Sequence, residues 1–174
     1  MSEIKVILVD QQDRPTGTME KLKAHEQGLL HRAISVYVFN SRNELLLQRR
    51  AASKYHCGGL WTNTCCGHPL PGEQAREAAQ RRLNEEMGLS CPLRKSLEFS
   101  YRADLPGGLI ENEYGHIFFG RTDDFPRLNS DEADGYAYLS LDVIQQRIAQ
   151  APASFTPWFQ LVLPSVMAQL VMHD

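Results

Sequence analysis

Gly67-His68-Pro69-Leu70-Pro71-Gly72-Glu73-Gln74-Ala75-Arg76-Glu77-Ala78-Ala79-Gln80-Arg81-Arg82-Leu83-Asn84-Glu85-Glu86-Met87-Gly88-Leu89 runs from a Gly- and Pro-rich loop into a charged segment that ends on glycine. Ala75, Ala78, Ala79 and Leu83 recur at the helical period, acidic residues occupy the first turn, and Gly88 stands where a C′ residue belongs. These features predict a helix over Glu73–Met87. The plain reading is an amphipathic helix with Glu77–Arg81 and Arg82–Glu86 as surface i,i+4 pairs, worth about 0.2–0.5 kcal/mol each. The glycine loop before the helix and the glycine after it, at fixed spacing from Glu73, Arg81, Glu85 and Glu86, favour a functional element instead.

Working outward, Ile4–Val9 reads as a strand followed by the polar turn Asp10-Gln11-Gln12-Asp13-Arg14-Pro15. Ala33–Phe39 is a β-rich run, Asn40-Ser41-Arg42-Asn43 a turn, and Leu45-Leu46-Leu47-Gln48 a return strand, which predicts a hairpin. Tyr114–Arg121 and Tyr136–Ser140 read as further strands, and Leu141–Ala149 and Trp158–Val171 as helices. No internal repeat or linker interrupts the chain. The expectation is a single domain over residues 1–174 of the α+β (or α/β) class, a mixed sheet flanked by helices.

The chain has 174 residues, a formal net charge of −3, 43% hydrophobic and 22% charged residues, which describes a globular domain and gives no reason to expect disorder. A pI near 6.1 excludes a generic basic nucleic-acid surface. Residues 148–173 hold no Asp, Glu, Lys or Arg, but Pro152, Pro157, Pro164 and Gln160 interrupt them, so a core-facing helix and loop is expected and not a membrane span. With no export signal at the N-terminus, Cys57, Cys65, Cys66 and Cys91 are expected to be thiols of a cytoplasmic protein.

The spacing from Gly67 to Leu89 resembles the Nudix box, a loop–helix–loop element whose helix presents carboxylates to a metal-bound diphosphate, and implies a Nudix core over about residues 30–160. A diphosphate brings several negative charges that a hard cation such as Mg²⁺ neutralises through oxygen ligands. One position departs from the hydrolase pattern. The residue after the box arginine is Arg82, where the hydrolases carry a metal-binding glutamate. A guanidinium there opposes hydrolysis yet suits a site that grips phosphate oxygens.

Pro15-Thr16-Gly17-Thr18, Glu20-Lys21, Arg49-Arg50, Ser53-Lys54, Trp61-Thr62-Asn63, Cys66-Gly67-His68-Pro69, Glu111-Asn112-Glu113 and Pro157-Trp158 together resemble, in collinear order, the type I isopentenyl-diphosphate isomerases, a non-hydrolytic branch of the Nudix superfamily. The resemblance implies catalytic residues Cys66 and Glu113, with Tyr101 hydrogen-bonded to the acid. It implies a metal site of His25, His31, His68, Glu111 and Glu113, whose mixed imidazole and carboxylate donors suit Mn²⁺ or Zn²⁺, with Mg²⁺ as a further candidate. It further implies Lys21, Arg50, Lys54 and Arg82 as diphosphate-binding cations, Glu86 as the holder of Mg²⁺ on the diphosphate, and Trp158 over the substrate's carbon tail. His56, His116 and His173 match no role, and Trp61 can equally anchor the core.

The chemistry also stands on its own. Moving the double bond of isopentenyl diphosphate needs an acid and a base on opposite sides of the alkene, in a dry pocket with electron-rich walls. A thiol of near-neutral pKa, its thiolate favoured by a nearby metal or helix end, would serve. Glu111 and Glu113, two residues apart on an extended segment, would share a face, and His116 would point away. Two readings stand beside the isomerase: a Nudix hydrolase acting on a diphosphate, and a non-catalytic metal- or diphosphate-binding module. The expected partner is a small diphosphate, with no nucleic acid or membrane, and a monomer suffices because every implied residue is in one chain.

Overall fold

A computed structural model describes residues 4–54 and 56–173, with no side-chain description at 172 and 173, so the His173 imidazole lies outside what is described. In chain order the elements are β1 (Lys5–Val9), β2 (Pro15–Glu20), α1 (Lys21–Gln27), β3 (His31–Phe39), β4 (Leu45–Arg50), β5 (Trp61–Thr62), β6 (Cys65–Gly67), α2 (Ala75–Met87), β7 (Leu93–Asp104), β8 (Ile110–Arg121), β9 (Ala133–Leu139), α3 (Leu141–Gln150), a 3₁₀ turn (Pro152–Ser154) and α4 (Pro157–His173). The strands form one mixed sheet, with β3 and β8 parallel and the remaining pairs antiparallel.

Helices cover both faces of the sheet, and the alternation of β3 and β4 shows why. Ile34, Val36, Val38 and Leu46 point to one side, against Ala78, Ala79, Leu83 and Met87 of α2. Tyr37, Phe39, Leu45 and Leu47 point to the other, against Ile144 of α3 and Phe159, Val162 and Val166 of α4. A strand covered on both faces reads as an unbroken apolar run, as β3 and β4 do. Among the described residues no helix is long and apolar enough to cross a membrane; the apolar α4 is spent on this core.

The expected hairpin exists only at its tip. β3 and β4 pair at Phe39↔Leu45 and then part, because Trp61–Gly67 is driven into the fork between them. β6 pairs with β3 and β5 pairs with β4. Fully buried Thr64 pins the wedge, its Oγ1 accepting from Val38 N (2.9 Å) and donating to Leu46 O (2.7 Å). This insertion brings Cys66 into register with Ser35 at the centre of the sheet.

Helix α2 starts two residues later than the sequence predicts, since Glu73 accepts from Leu70 N (2.9 Å) and from Arg81 and so closes the loop instead of opening the helix. It ends where expected, on Gly88 at φ 62°, whose N–H bonds Asn84 O at 2.9 Å. The Glu77–Arg81 pair gives way to Arg81–Glu73 and Arg81–Glu85. Arg82–Glu86 does form, with Glu86 buried instead of on the surface.

Candidate active site

Three strands bring the central residues into one row. The parallel β3–β8 register sets His31 beside Glu113, and the antiparallel β7–β8 register sets Tyr101 on Glu113's other side. Glu111 and Glu113 point inward together, as their spacing requires, while His116 turns to Asp13 on the opposite face (2.8 Å).

Tyr101 Oη donates to Glu113 Oε1 at 2.7 Å, and Glu113 Oε2 faces His31 Nε2 (3.1 Å) and His68 Nε2 (2.8 Å). One donor atom each from His25, His31, His68 and Glu113 lies within 4.8 Å of the others. Glu111 belongs to an overlapping group with His25 and His56. Its Oε2 is 3.5 Å from His25 Nε2 and carries no hydrogen bond among the described residues.

The imidazole tautomers test whether a cation suits this cluster. His25 Nδ1 meets Lys21 O at 2.7 Å and His31 Nδ1 meets Leu29 O at 2.8 Å. A carbonyl can only accept, so both Nδ1 atoms carry hydrogen and a neutral ring turns a bare Nε2 lone pair toward a carboxylate. Lone pair against carboxylate is repulsive unless positive charge lies between them, either a metal ion or a proton on Nε2, and Glu111 does raise the pKa of His25 against its burial. Nδ1–H held by a carbonyl is also the orientation typical of metal-ligating histidine. Burial lowers the pKa of His68 to about 4, which keeps it in the neutral form a metal needs. Burial opposes ionisation of Glu113, but a proton or other positive charge held at the Nε2 atoms of His31 and His68 outweighs that and keeps its pKa well below the ordinary value. The donor set therefore suits a divalent ion.

Beside this cluster opens a cavity of about 300 Å³. Lys21, Arg50, Lys54, Cys66, His68, Arg82, Glu86, Tyr101, Glu111, Glu113 and Trp158 line it, while His25 and His31 lie beneath, fully buried. Burial and the charges of Lys54, Arg82 and Arg50 lower the pKa of Lys21, so these cations are crowded together at one end of the cavity. Arg82 bonds Glu86 Oε1 at 2.5 Å and Glu85 at 2.6 Å, and Gln48 Nε2 donates to Glu86 Oε2 at 2.6 Å. Burial raises the pKa of Glu86 despite Arg82. A Cβ on Gly67 would stand 2.6 Å from Arg82 Cγ, so the glycine of the loop is what lets Arg82 lie across β6.

Cys66 is not the near-neutral thiol expected. Burial pushes its pKa up to about 11, against the opposing effect of the Ser35 hydroxyl at 3.5 Å, while Asn63 Oδ1 lies 3.3 Å from the sulfur. Both amide hydrogens of Asn63 are spent on Val36 O and Cys65 O, so its oxygen must face the thiol, which donates to it. Cys65, the neighbour, is fully buried in the core.

Ser35 and Glu132 escaped the sequence reading, which quoted Asn63 only within the Trp61-Thr62-Asn63 stretch and gave His56 no role. Glu132 Oε2 bonds Lys54 at 2.6 Å and stands 3.3 Å from Arg82, holding two of the cations. His56 stands 2.8 Å from Glu111. Nothing in the spacing of Ser35, His56 or Glu132 marks them; contacts across the sheet bring them in.

The family match agrees with this fold: residues 29–159 match the NUDIX domain family, which places the chain among the NUDIX-domain proteins. A Deinococcus radiodurans crystal structure overlays with TM-score 0.76 at 22% identity, covering 92% of this chain and 98% of that one. A MutT protein of Methanosarcina mazei overlays with TM-score 0.59 at 20% identity, covering 67% and 81%. At such identities they speak for the fold alone.

Sequence relatives narrow the class. The isopentenyl-diphosphate Delta-isomerase of Pectobacterium atrosepticum is 57% identical over 162 residues, 93% of this chain and 90% of that protein. Isopentenyl-diphosphate Delta-isomerase 2 of Aromatoleum aromaticum is 48% identical over 95% and 88%. The chain belongs to the isopentenyl-diphosphate Delta-isomerase family.

Proposed function

We propose that the protein interconverts isopentenyl and dimethylallyl diphosphate, with Cys66 and Glu113 as the acid–base pair. The observation that carries this is the sharing of one cavity by the Cys66 thiol, the Glu113 carboxylate and the cations Lys21, Arg50, Lys54 and Arg82. Lys21, Arg50, Lys54 and Arg82 bind the diphosphate through charge-assisted hydrogen bonds. That anchor leaves the five-carbon chain to extend toward Cys66 and Glu113. One of the pair gives a proton to the alkene and the other removes one from a different carbon. Trp158 offers a π face to the tertiary cation between the two steps.

Asn63 and Ser35 hold the Cys66 thiol in place, and Tyr101 holds one oxygen of Glu113. His25, His31, His68, Glu111 and Glu113 would hold a Mn²⁺ or Zn²⁺ ion, and Glu86 a Mg²⁺ ion; bound there, they would supply positive charge that orients Glu113 and screens the diphosphate. Arg82 speaks against hydrolysis, because it places a guanidinium, paired with Glu85, where the hydrolase pattern carries a metal-binding glutamate. The four cysteines are free thiols, which suits a reducing compartment. Every proposed site residue lies in this one chain, so a monomer is sufficient.

Cys66→Ala and Glu113→Gln test the pair. Both should fold and melt like the parent yet lose about 10²–10⁴-fold or more in turnover, the range of a positioned acid or base. Near-normal rates in both variants would refute the assignment.

A further inference from the structure

His56 stands between the two ends of the cavity. Arg50 Nη2 lies 3.1 Å from His56 Nδ1 and also donates to His56 O at 3.2 Å. A guanidinium has only donors, so His56 Nδ1 is the acceptor and a neutral ring carries its hydrogen on Nε2. That Nε2 makes a close contact with Glu111 Oε1, at 2.8 Å but not aligned as a hydrogen bond. The other oxygen, Oε2, faces His25 Nε2 at 3.5 Å and makes no hydrogen bond among the described residues. Glu111 thus divides its oxygens, one against His56 and one toward the histidine cluster. The ring of His56 is packed 5.5 Å from Trp158, whose face also carries the Arg50 guanidinium at 5.2 Å.

We infer that His56 is a positioning residue that ties the diphosphate-binding Arg50 to the metal-binding Glu111, so that the anion end and the metal end of the cavity are held as one unit. It is not itself a ligand, since the nitrogen near the cluster bears the hydrogen that Arg50 forces there. The inference rests on the site roles proposed above for Arg50 and Glu111. Groups one bond removed from a metal's ligands typically alter metal affinity about 10–100-fold when lost.

The test uses the full-length His56→Ala, His56→Gln and His56→Asn variants. Mn²⁺ affinity is measured by electron paramagnetic resonance titration without substrate, the number of imidazole nitrogens coupled to Mn²⁺ by pulsed spectroscopy, inorganic diphosphate affinity by calorimetry, and KM and kcat by turnover. His56→Ala should weaken Mn²⁺ binding about 10–100-fold with the imidazole number unchanged, weaken inorganic diphosphate, and raise KM more than it lowers kcat. Gln places a donor near the Nε2 position and should recover Mn²⁺ affinity alone. Asn places an acceptor near Nδ1 and should recover diphosphate affinity alone. Should the Ala variant not fold, Gln and Asn carry the same comparison.

Mn²⁺ affinity within twofold of the parent in all three would overturn the inference, and so would loss of one coupled imidazole, which would make His56 a ligand. The Mn²⁺ and diphosphate measurements need no turnover. Failure of the isomerase proposal would therefore show in kinetics alone, and failure of this one in binding.

Discussion

Tyr101 donates a 2.7 Å hydrogen bond to Glu113 from the position directly opposite it in the β7–β8 register. A cross-strand pair thereby fixes one oxygen of a buried carboxylate and leaves the other to His31 and His68. A hydrogen bond to a charged group is worth about 1.5–3 kcal/mol, or about tenfold to a hundredfold in rate if it is needed in the transition state. Tyr101→Phe should lose that much kcat with KM nearly unchanged. Steady-state kinetics checks it, and a kcat within twofold of the parent would mean that Glu113 is oriented without the tyrosine.

Gly67 and Arg82 form a second dependent pair. A methyl group at 67 would meet Arg82 Cγ at 2.6 Å and Nε at 2.9 Å. Gly67→Ala should displace Arg82 and raise KM for the diphosphate substrate about as much as Arg82→Ala does. In the double variant the two effects should not add, because each acts through the same guanidinium. Additive losses in a double-mutant cycle would show that Gly67 matters for another reason.

Gly88 was legible in the sequence, and its replacement should be costly. Its φ of 62° is unfavourable for an L side chain by about 1–2 kcal/mol. An added Cβ would also meet Arg127 O at 2.7 Å, in the segment whose Arg127 N–H bonds Met87 O. Gly88→Ala should destabilise by at least the conformational amount in urea unfolding, with kinetics per folded molecule little changed.

His116 supplies a pH-dependent contribution away from the cavity. Burial and the charge of Lys95 lower its pKa below the ordinary 6.5, against the pull of Asp13 at 2.8 Å and Glu98 at 3.8 Å. Asp13 is partly spent on Arg32 at 2.8 Å, which weakens its hold. With the folded pKa below the unfolded one, the unfolded chain binds the extra proton first as pH falls. The stability linked to neutral His116 is therefore complete above about pH 6.5 and declines below it. Unfolding measured from pH 7.5 to 5 should show a shallower decline for His116→Gln; identical slopes would remove His116 from the account.

The sequence carried the architecture wherever a periodic signal met a plain terminator. α2 with Gly88 and the apolar runs of β3 and β4 are of that kind. It did not reveal β7, because the bulge between Lys95 and Leu97 breaks the alternation and much of its length faces solvent. Nor did it reveal α1, seven residues long and held by Gly28 at φ 66°. The fork between β3 and β4 was equally hidden, since a turn with flanking apolar runs reads as a hairpin whether or not another segment enters it. Cys66, Glu113 and the histidines could be named because a motif ties them in chain order. His56 and Glu132 act through contacts across the sheet that no spacing encodes.

The central claim is that Cys66 and Glu113 move a proton on an intact diphosphate. Incubating the purified protein with isopentenyl diphosphate, Mg²⁺ and Mn²⁺ in D₂O, with proton and phosphorus NMR followed together, tests it directly. Dimethylallyl diphosphate with deuterium incorporated and the diphosphate signals preserved is the expected outcome. Release of inorganic phosphate or diphosphate, or no reaction from folded, metal-loaded protein, would contradict it.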